Sequence, residues 1–155
     1  MIVVLMGVSG SGKTTIGERL AERLGWRFIE GDDYHPRENV AKMAAGKPLE
    51  DVDRWPWLDV LNGLLRAEKD AVLACSALKE SYRKRLLAGV AEARVVYLRG
   101  AQSLIASRLA ERKHRYMPAS LLDSQFATLE APRGAIEIDV SVDPEACVER
   151  IIAAL

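Results

Sequence analysis

Residues 7–14 read Gly-Val-Ser-Gly-Ser-Gly-Lys-Thr, a Gly-x-x-x-x-Gly-Lys-Thr pattern whose chemistry is the cradling of a phosphate chain. Glycines admit the backbone angles that turn successive N–H groups inward onto an anion. A helix opening near Lys13 adds the positive end of its dipole. The expected nucleotide contacts are Gly7, Ser9, Gly10, Ser11, Gly12, Lys13, Thr14 and Thr15. In this pattern Lys13 reaches the β- and γ-phosphates of ATP and the Thr14 hydroxyl ligates Mg²⁺. The competing reading is a glycine-rich turn that binds nothing. The apolar run Ile2–Met6 before the glycines and the helical spacing after them supply the strand and helix that the pattern requires.

A second stretch, "FIEGDDYHPREN", ends a short apolar run in two adjacent carboxylates, Asp32 and Asp33, with His35 and Pro36 close behind. The carboxyl ends of the strands in an open parallel sheet share one crevice. The two acids would then face the γ-phosphate across it. Asp32 is the expected acceptor of a proton from a substrate hydroxyl, and Asp32 or Asp33 can hold Mg²⁺ through water. The alternative is an Asx-turn that caps the following helix. A third stretch carries Arg108 and Arg112 four residues apart and Arg115 just beyond. Arginines on a closing segment neutralise charge on a transferring phosphoryl group; a solvated basic helix end is the alternative. The Asn-Lys-x-Asp and Asp-x-x-Gly segments of regulatory GTPases are absent. Residues 71–76, "AVLACS", end in Ser76 where many nucleotide triphosphatases carry an Asp.

The elements that must position these groups follow from the patterning of a chain of 155 residues, one domain in length. Such a chain buries a core without metal or disulfide support. Lys plus Arg and Asp plus Glu both number 22. The resulting formal charge of zero removes the whole-protein argument for a nucleic-acid partner. No run approaches membrane-spanning length. Cys75 and Cys147 lie in apolar sequence outside any metal-ligand pattern, as expected of reduced, buried thiols in a cytoplasmic protein. The N-terminus is apolar for only six residues and lacks a basic leader, so it reads as a buried strand. Strands are expected at Ile2–Met6, Arg27–Glu30, Ala71–Cys75, Arg94–Leu98 and Ile136–Val140, alternating with helices. The helical spans are Thr14–Leu24, Pro36–Ala45, Arg54–Glu68, Lys79–Ala88, Ser103–Arg112, Ala119–Leu129 and Pro144–Ala154. Asp53 is the expected cap of the third, with Pro56 in its first turn. The alternation implies an α/β fold built on a parallel sheet.

Taken together, "GVSGSGKTT", "GDDYHPRENVAKMAAGKPLEDVDRWPWL", "CSALKESYRKRL", "VYLRG" and "RYMPASLLDSQFATLEAP" resemble the gluconokinases, small kinases of the nucleoside-monophosphate-kinase-like P-loop group. The resemblance implies a three-layer P-loop fold with a five-stranded parallel sheet flanked by helices, in a single domain over 1–155. It also implies a substrate-side helical region over about 33–66, a lid over about 112–126 and a homodimer. The implied reaction transfers the ATP γ-phosphate to the 6-hydroxyl of D-gluconate. Asp32, His35, Lys42, Arg54 and Lys79 fall in the substrate-side motifs, and Arg112 and Arg115 in the lid. Two departures stand out: His114-Arg115-Tyr116 replaces the Gly-His-Phe of many members, and Val52 interrupts the acidic run before Arg54.

The residues themselves suit an anionic sugar acid, whose carboxylate needs a cationic partner on leaving water. Arg54 is the bidentate candidate, with Lys42 and Lys79 as further cations. Each has an alternative: pairing with Asp51 or Asp53 for Arg54, a surface position in a helix's first turn for Lys79, and a stem laid over apolar surface for Lys42. Ser76 either donates to substrate or caps the next helix. Arg108 is assigned to the nucleotide. Gln125 points either into the nucleotide cleft or to solvent. Trp55 and Trp57 pack beside the sugar or in the core. A kinase for another small hydroxylated anion, such as shikimate or adenylylsulfate, and a non-catalytic nucleotide-binding module are the competing functions.

Overall fold

The computed structural model describes residues 1–111 and 119–155. Five parallel strands form one sheet: β1 (Ile2–Met6), β2 (Arg27–Glu30), β3 (Ala71–Ala74), β4 (Ala93–Arg99) and β5 (Ile136–Asp139), in the order β2-β3-β1-β4-β5. The expected sheet is therefore present, with strand ends shifted by one residue or none. β1 lies at the centre and is buried along its whole length, as a strand covered by helices on both faces must be.

Successive side chains of β1 point to opposite faces. Val3 and Leu5 join the layer formed with Ile16 and Leu20 of α1 (Lys13–Leu24) and Val148 and Ile151 of α7 (Pro144–Ala154). Ile2, Val4 and Met6 join the opposite layer. That layer is built from Trp57, Leu58, Leu61 and Leu65 of α3 (Asp51–Ala67) and Tyr82 and Leu86 of α4 (Glu80–Leu87). The remaining helices are α2 (Arg37–Ala44), α5 (Gln102–Ala110) and α6 (Ala119–Thr128). Among the described residues no helix is long and apolar enough to cross a membrane. Cys75 and Cys147 are both free and buried, and burial pushes the Cys75 thiol up to about 12.

Two local expectations change. α3 begins at Asp51, three residues earlier than the sequence suggests. The Asp53 carboxylate accepts from the backbone N–H of Glu50 at 2.7 Å, so Asp53 serves as the reciprocal partner in a capping box. Pro56 therefore lies inside the helix, where it removes one backbone donor. Residues Gly31–Tyr34 form a single 3₁₀ turn directly after β2, which no sequence pattern announced.

Gly31 is the residue that permits this turn. A Cβ placed there would lie 2.6 Å from the carbonyl oxygen of Ala74, the last residue of β3. Gly31→Ala is therefore expected to lower stability by about 1–3 kcal/mol through forced displacement of backbone. Gly63 is an exposed position in α3 with open space around it. Gly63→Ala should raise stability by roughly 0.5–1 kcal/mol. Denaturant unfolding of the two variants checks both signs.

Candidate active site

A cavity of about 700 Å³ opens at the carboxyl ends of β1, β2 and β3, and the Gly7–Thr14 loop forms one wall. Gly12, at φ +94°, occupies the left-handed region that favours glycine and turns the chain directly into α1. Lys13 folds over the loop, its Nζ donating to the carbonyls of Gly7 at 3.0 Å and Val8 at 2.9 Å. This sets the ammonium at the mouth of the cradle. The loop is tied to the exit of β3, since the Gly7 N–H donates to the Ser76 carbonyl at 3.3 Å. It is also tied to α6: the Ser9 N–H donates to Gln125 Oε1 at 2.7 Å, and Gln125 Nε2 donates to Ser9 Oγ at 3.1 Å. Gln125 thus points into the cleft. Ser11 is buried within the loop, its hydroxyl unpartnered among the described residues, and Thr15 is exposed; neither lines the cavity.

Asp32 and Asp33 line the cavity together with Lys13, Thr14, Ser76 and Arg54. Glu30, which the sequence reading did not single out, joins them. The Thr14 hydroxyl donates to Glu30 Oε2, and Glu30 Oε1 accepts from the Asp32 N–H at 3.4 Å. The signal in the sequence was the position of Glu30 at the carboxyl end of a strand that enters this crevice. Thr14, Glu30 and the two aspartates offer only oxygen donors, which suit Mg²⁺. Among the described residues no group of three His, Cys, Asp or Glu could hold a metal. That donor set fits an ion that takes one or two protein oxygens and completes its shell with phosphates and water.

The ring of His35 is buried, at 4% side-chain exposure, and stacks on Trp57 with centroids 4.0 Å apart and an angle of 18°. Burial lowers its pKa, partly opposed by the Asp32 charge, whose Oδ1 lies 3.8 Å from Nε2. Trp57 is itself fixed by donation from Nε1 to the Gly31 carbonyl at 2.7 Å. Trp55 stands apart, edge-on to Tyr82 at 5.7 Å and beneath the Arg85 guanidinium at 5.0 Å.

The three cations expected to meet a substrate carboxylate separate. Arg54 lines the cavity. Its Nη1 donates to the Leu49 carbonyl at 2.6 Å and to the Tyr82 hydroxyl at 3.1 Å. Tyr82 in turn donates to Asp51 Oδ1 at 2.5 Å. Burial and this bond to Asp51 push the Tyr82 phenol up to about 12. Lys79 and Lys42 do not line the cavity. Lys79 donates to Asp51 at 3.3 Å and Lys42 to Asp53 at 2.8 Å. Val52 is 68% exposed, so the interruption of the acidic run sends an apolar side chain outward while its neighbours keep their cations. Arg108 lies in α5 and does not line the cavity. Arg112 and Arg115 lie outside the described residues.

Residues 2–132 match the AAA domain family. The chain is 46% identical to the gluconokinase of Gluconobacter oxydans, over 97% of this chain and 88% of that protein. It is 44% identical to the thermoresistant gluconokinase of Escherichia coli, over 99% and 90%. The chain belongs to the gluconokinase family. A solved gluconokinase from Sinorhizobium meliloti superposes with a TM-score of 0.91 at 44% identity, over 97% of this chain and 89% of that one. A shikimate kinase from Aquifex aeolicus shares the fold, with a TM-score of 0.61 at 16% identity.

Hydrogen bonds from Lys42 and from the Glu50 backbone hold the Asp53 carboxyl below its ordinary 3.8. The Tyr82 and Lys79 bonds do the same for Asp51. A depressed folded-state pKa contributes stability that is complete above the unfolded value and is lost as pH falls through the folded one. The two acids should therefore weaken the fold as pH drops below about 4. Asp53→Asn is expected to flatten that part of the profile, as measured by denaturant unfolding between about pH 2 and 6.

Proposed function

We propose that the protein transfers the γ-phosphate of ATP to the 6-hydroxyl of D-gluconate, giving 6-phosphogluconate and ADP. One observation carries this reading: the phosphate cradle with Lys13 and Thr14 and the polar wall of Asp32, His35 and Arg54 line the same cavity. Membership of the gluconokinase family selects gluconate among the small hydroxylated anions that such a wall could take.

Phosphoryl transfer passes through a loose, in-line transition state, so positioning and charge stabilisation provide most of the barrier reduction. The amides of Gly10, Gly12 and their neighbours hold the phosphate chain, and Lys13 compensates charge on its outer phosphates. Mg²⁺, when bound, supplies charge neutralisation on the phosphate oxygens. Thr14 would hold it directly, with Glu30 and Asp32 or Asp33 acting through water. Asp32 orients the 6-hydroxyl and accepts its proton. Arg54 faces the substrate carboxylate. Its two bonds through Nη1 orient the planar fork before substrate arrives. Lys42 and Lys79 act one step back by compensating Asp53 and Asp51, which would otherwise repel an anionic substrate. Ser76, at the β3 exit, faces the acceptor.

Residues of about 33–66 would form the substrate side of a single domain. Residues of about 112–126 would form a lid whose Arg112 and Arg115 neutralise the transferring group. Two free cysteines suit a cytoplasmic enzyme, and a homodimer follows the family.

A coupled ADP-release assay with ATP, Mg²⁺ and a panel of gluconate, shikimate and adenylylsulfate tests the reading. Gluconate alone is expected to stimulate release. Stimulation by another acid redirects the substrate, and none with any acceptor refutes catalysis. Lys13→Ala should abolish turnover. Asp32→Asn should lower kcat by about 10²–10⁴-fold while ATP affinity stays within about twofold; near-normal kcat would remove Asp32 from the role of proton acceptor.

A further inference from the structure

Asn39 sits in the first turn of α2 and is 3% exposed, so its amide must find partners within the protein. Its side-chain nitrogen donates to the Asp53 carbonyl at 2.8 Å. A backbone carbonyl only accepts, so that contact requires nitrogen at this position and settles the orientation of the amide. The same nitrogen lies 3.2 Å from His35 Nδ1. An amide nitrogen carries two hydrogens and no acceptor lone pair. With one hydrogen on Asp53, the other is available to His35 Nδ1, which must then be the unprotonated ring nitrogen. The ring proton therefore resides on Nε2, the atom that faces Asp32 Oδ1 across 3.8 Å.

We infer that Asn39 is a positioning residue that fixes the Nε2–H tautomer of His35, so that this histidine serves the acceptor site as a hydrogen-bond donor beside the acceptor Asp32. The stack on Trp57 holds the ring plane, and Asn39 selects which nitrogen bears the proton. A donor and a carboxylate side by side match the alternating demands of neighbouring hydroxyls on a polyol chain. That last step rests on the function proposed above; the tautomer does not. Because Asn39 reads the Asp53 carbonyl in the first turn of α3, it also ties the histidine to the helix that carries Arg54.

The test is long-range ¹H–¹⁵N correlation NMR on protein labelled with ¹⁵N-histidine, at a pH where the ring is neutral. The chain contains two histidines, His35 and His114, so a His114→Gln sample completes the assignment. Wild-type His35 is expected to show the Nε2–H pattern, and the Nδ1–H pattern overturns the inference without recourse to any variant. Asn39→Ala should give a mixture of tautomers, and Asn39→Asp, whose carboxylate accepts from Nδ1–H, should shift it further toward that form. An unchanged tautomer in folded Asn39→Ala also overturns it. Asn39→Ala is expected to lower kcat for gluconate about 10-fold, the scale of losing an orienting partner behind a functional histidine, with KM for ATP within about twofold. If gluconate stimulates no ADP release while the tautomer behaves as described, the inference on Asn39 stands and the proposed acceptor falls.

Discussion

The backbone of Gly31 passes so close to the Ala74 carbonyl that no side chain fits between them, and the acidic wall of the cavity depends on that approach. It folds the chain into a 3₁₀ turn as soon as β2 ends, instead of letting it run on past the sheet. Glu30, Asp32 and Asp33 are then held within one turn of each other at the mouth of the phosphate cradle. Trp57 reinforces the approach by donating to the Gly31 carbonyl. The same indole is the surface on which His35 stacks. A close backbone contact, a core aromatic and a polar site are thus one arrangement: the packing that stabilises the second core layer also orients the groups that face substrate.

The cradle was legible in the sequence because its geometry is local. Glycines at set spacing, a lysine and a hydroxyl between a strand and a helix determine the loop with little help from elsewhere. The acid pair was legible for a different reason, since parallel strands deliver their carboxyl ends to one side of the sheet. Glu30 escaped notice because it is the last residue of β2 and its direction depends on the turn at Gly31, which carries no periodic signal. The facing of Lys42 and Lys79 was equally hidden. Each lies near the site along the chain, but its direction is set by carboxylates of α3, and α3 starts three residues before the point where Pro56 suggested a first turn. Arg54, on that same helix, meets the cavity because Leu49 and Tyr82 hold its guanidinium there.

Charge in this region is arranged in linked pairs. Asp51 accepts from both Tyr82 and Lys79, while Asp53 accepts from Lys42 and from the Glu50 amide. Two acids that would oppose an anionic ligand are thereby compensated a short distance behind the cavity surface. Arg54 hydrogen-bonds to neutral groups, the Leu49 carbonyl and the Tyr82 hydroxyl, and not directly to either acid. Exposed ion pairs contribute little to stability, so the consequence of this arrangement is chiefly the sign of the potential that an entering acid meets.

The bond between the Ser9 amide and Gln125 has a competitive meaning. An N–H that gives its hydrogen to an amide oxygen at 2.7 Å cannot give it equally to an incoming anion. Any guest that takes that hydrogen must first evict the glutamine, and eviction loosens the Ser9–Gln125 tether between the cradle and α6. Occupancy of the Ser9 amide is in this way exchanged against the docking of α6 on the cradle. The measured affinity for such a guest will be the difference between two contacts, weaker than the count of its own bonds implies.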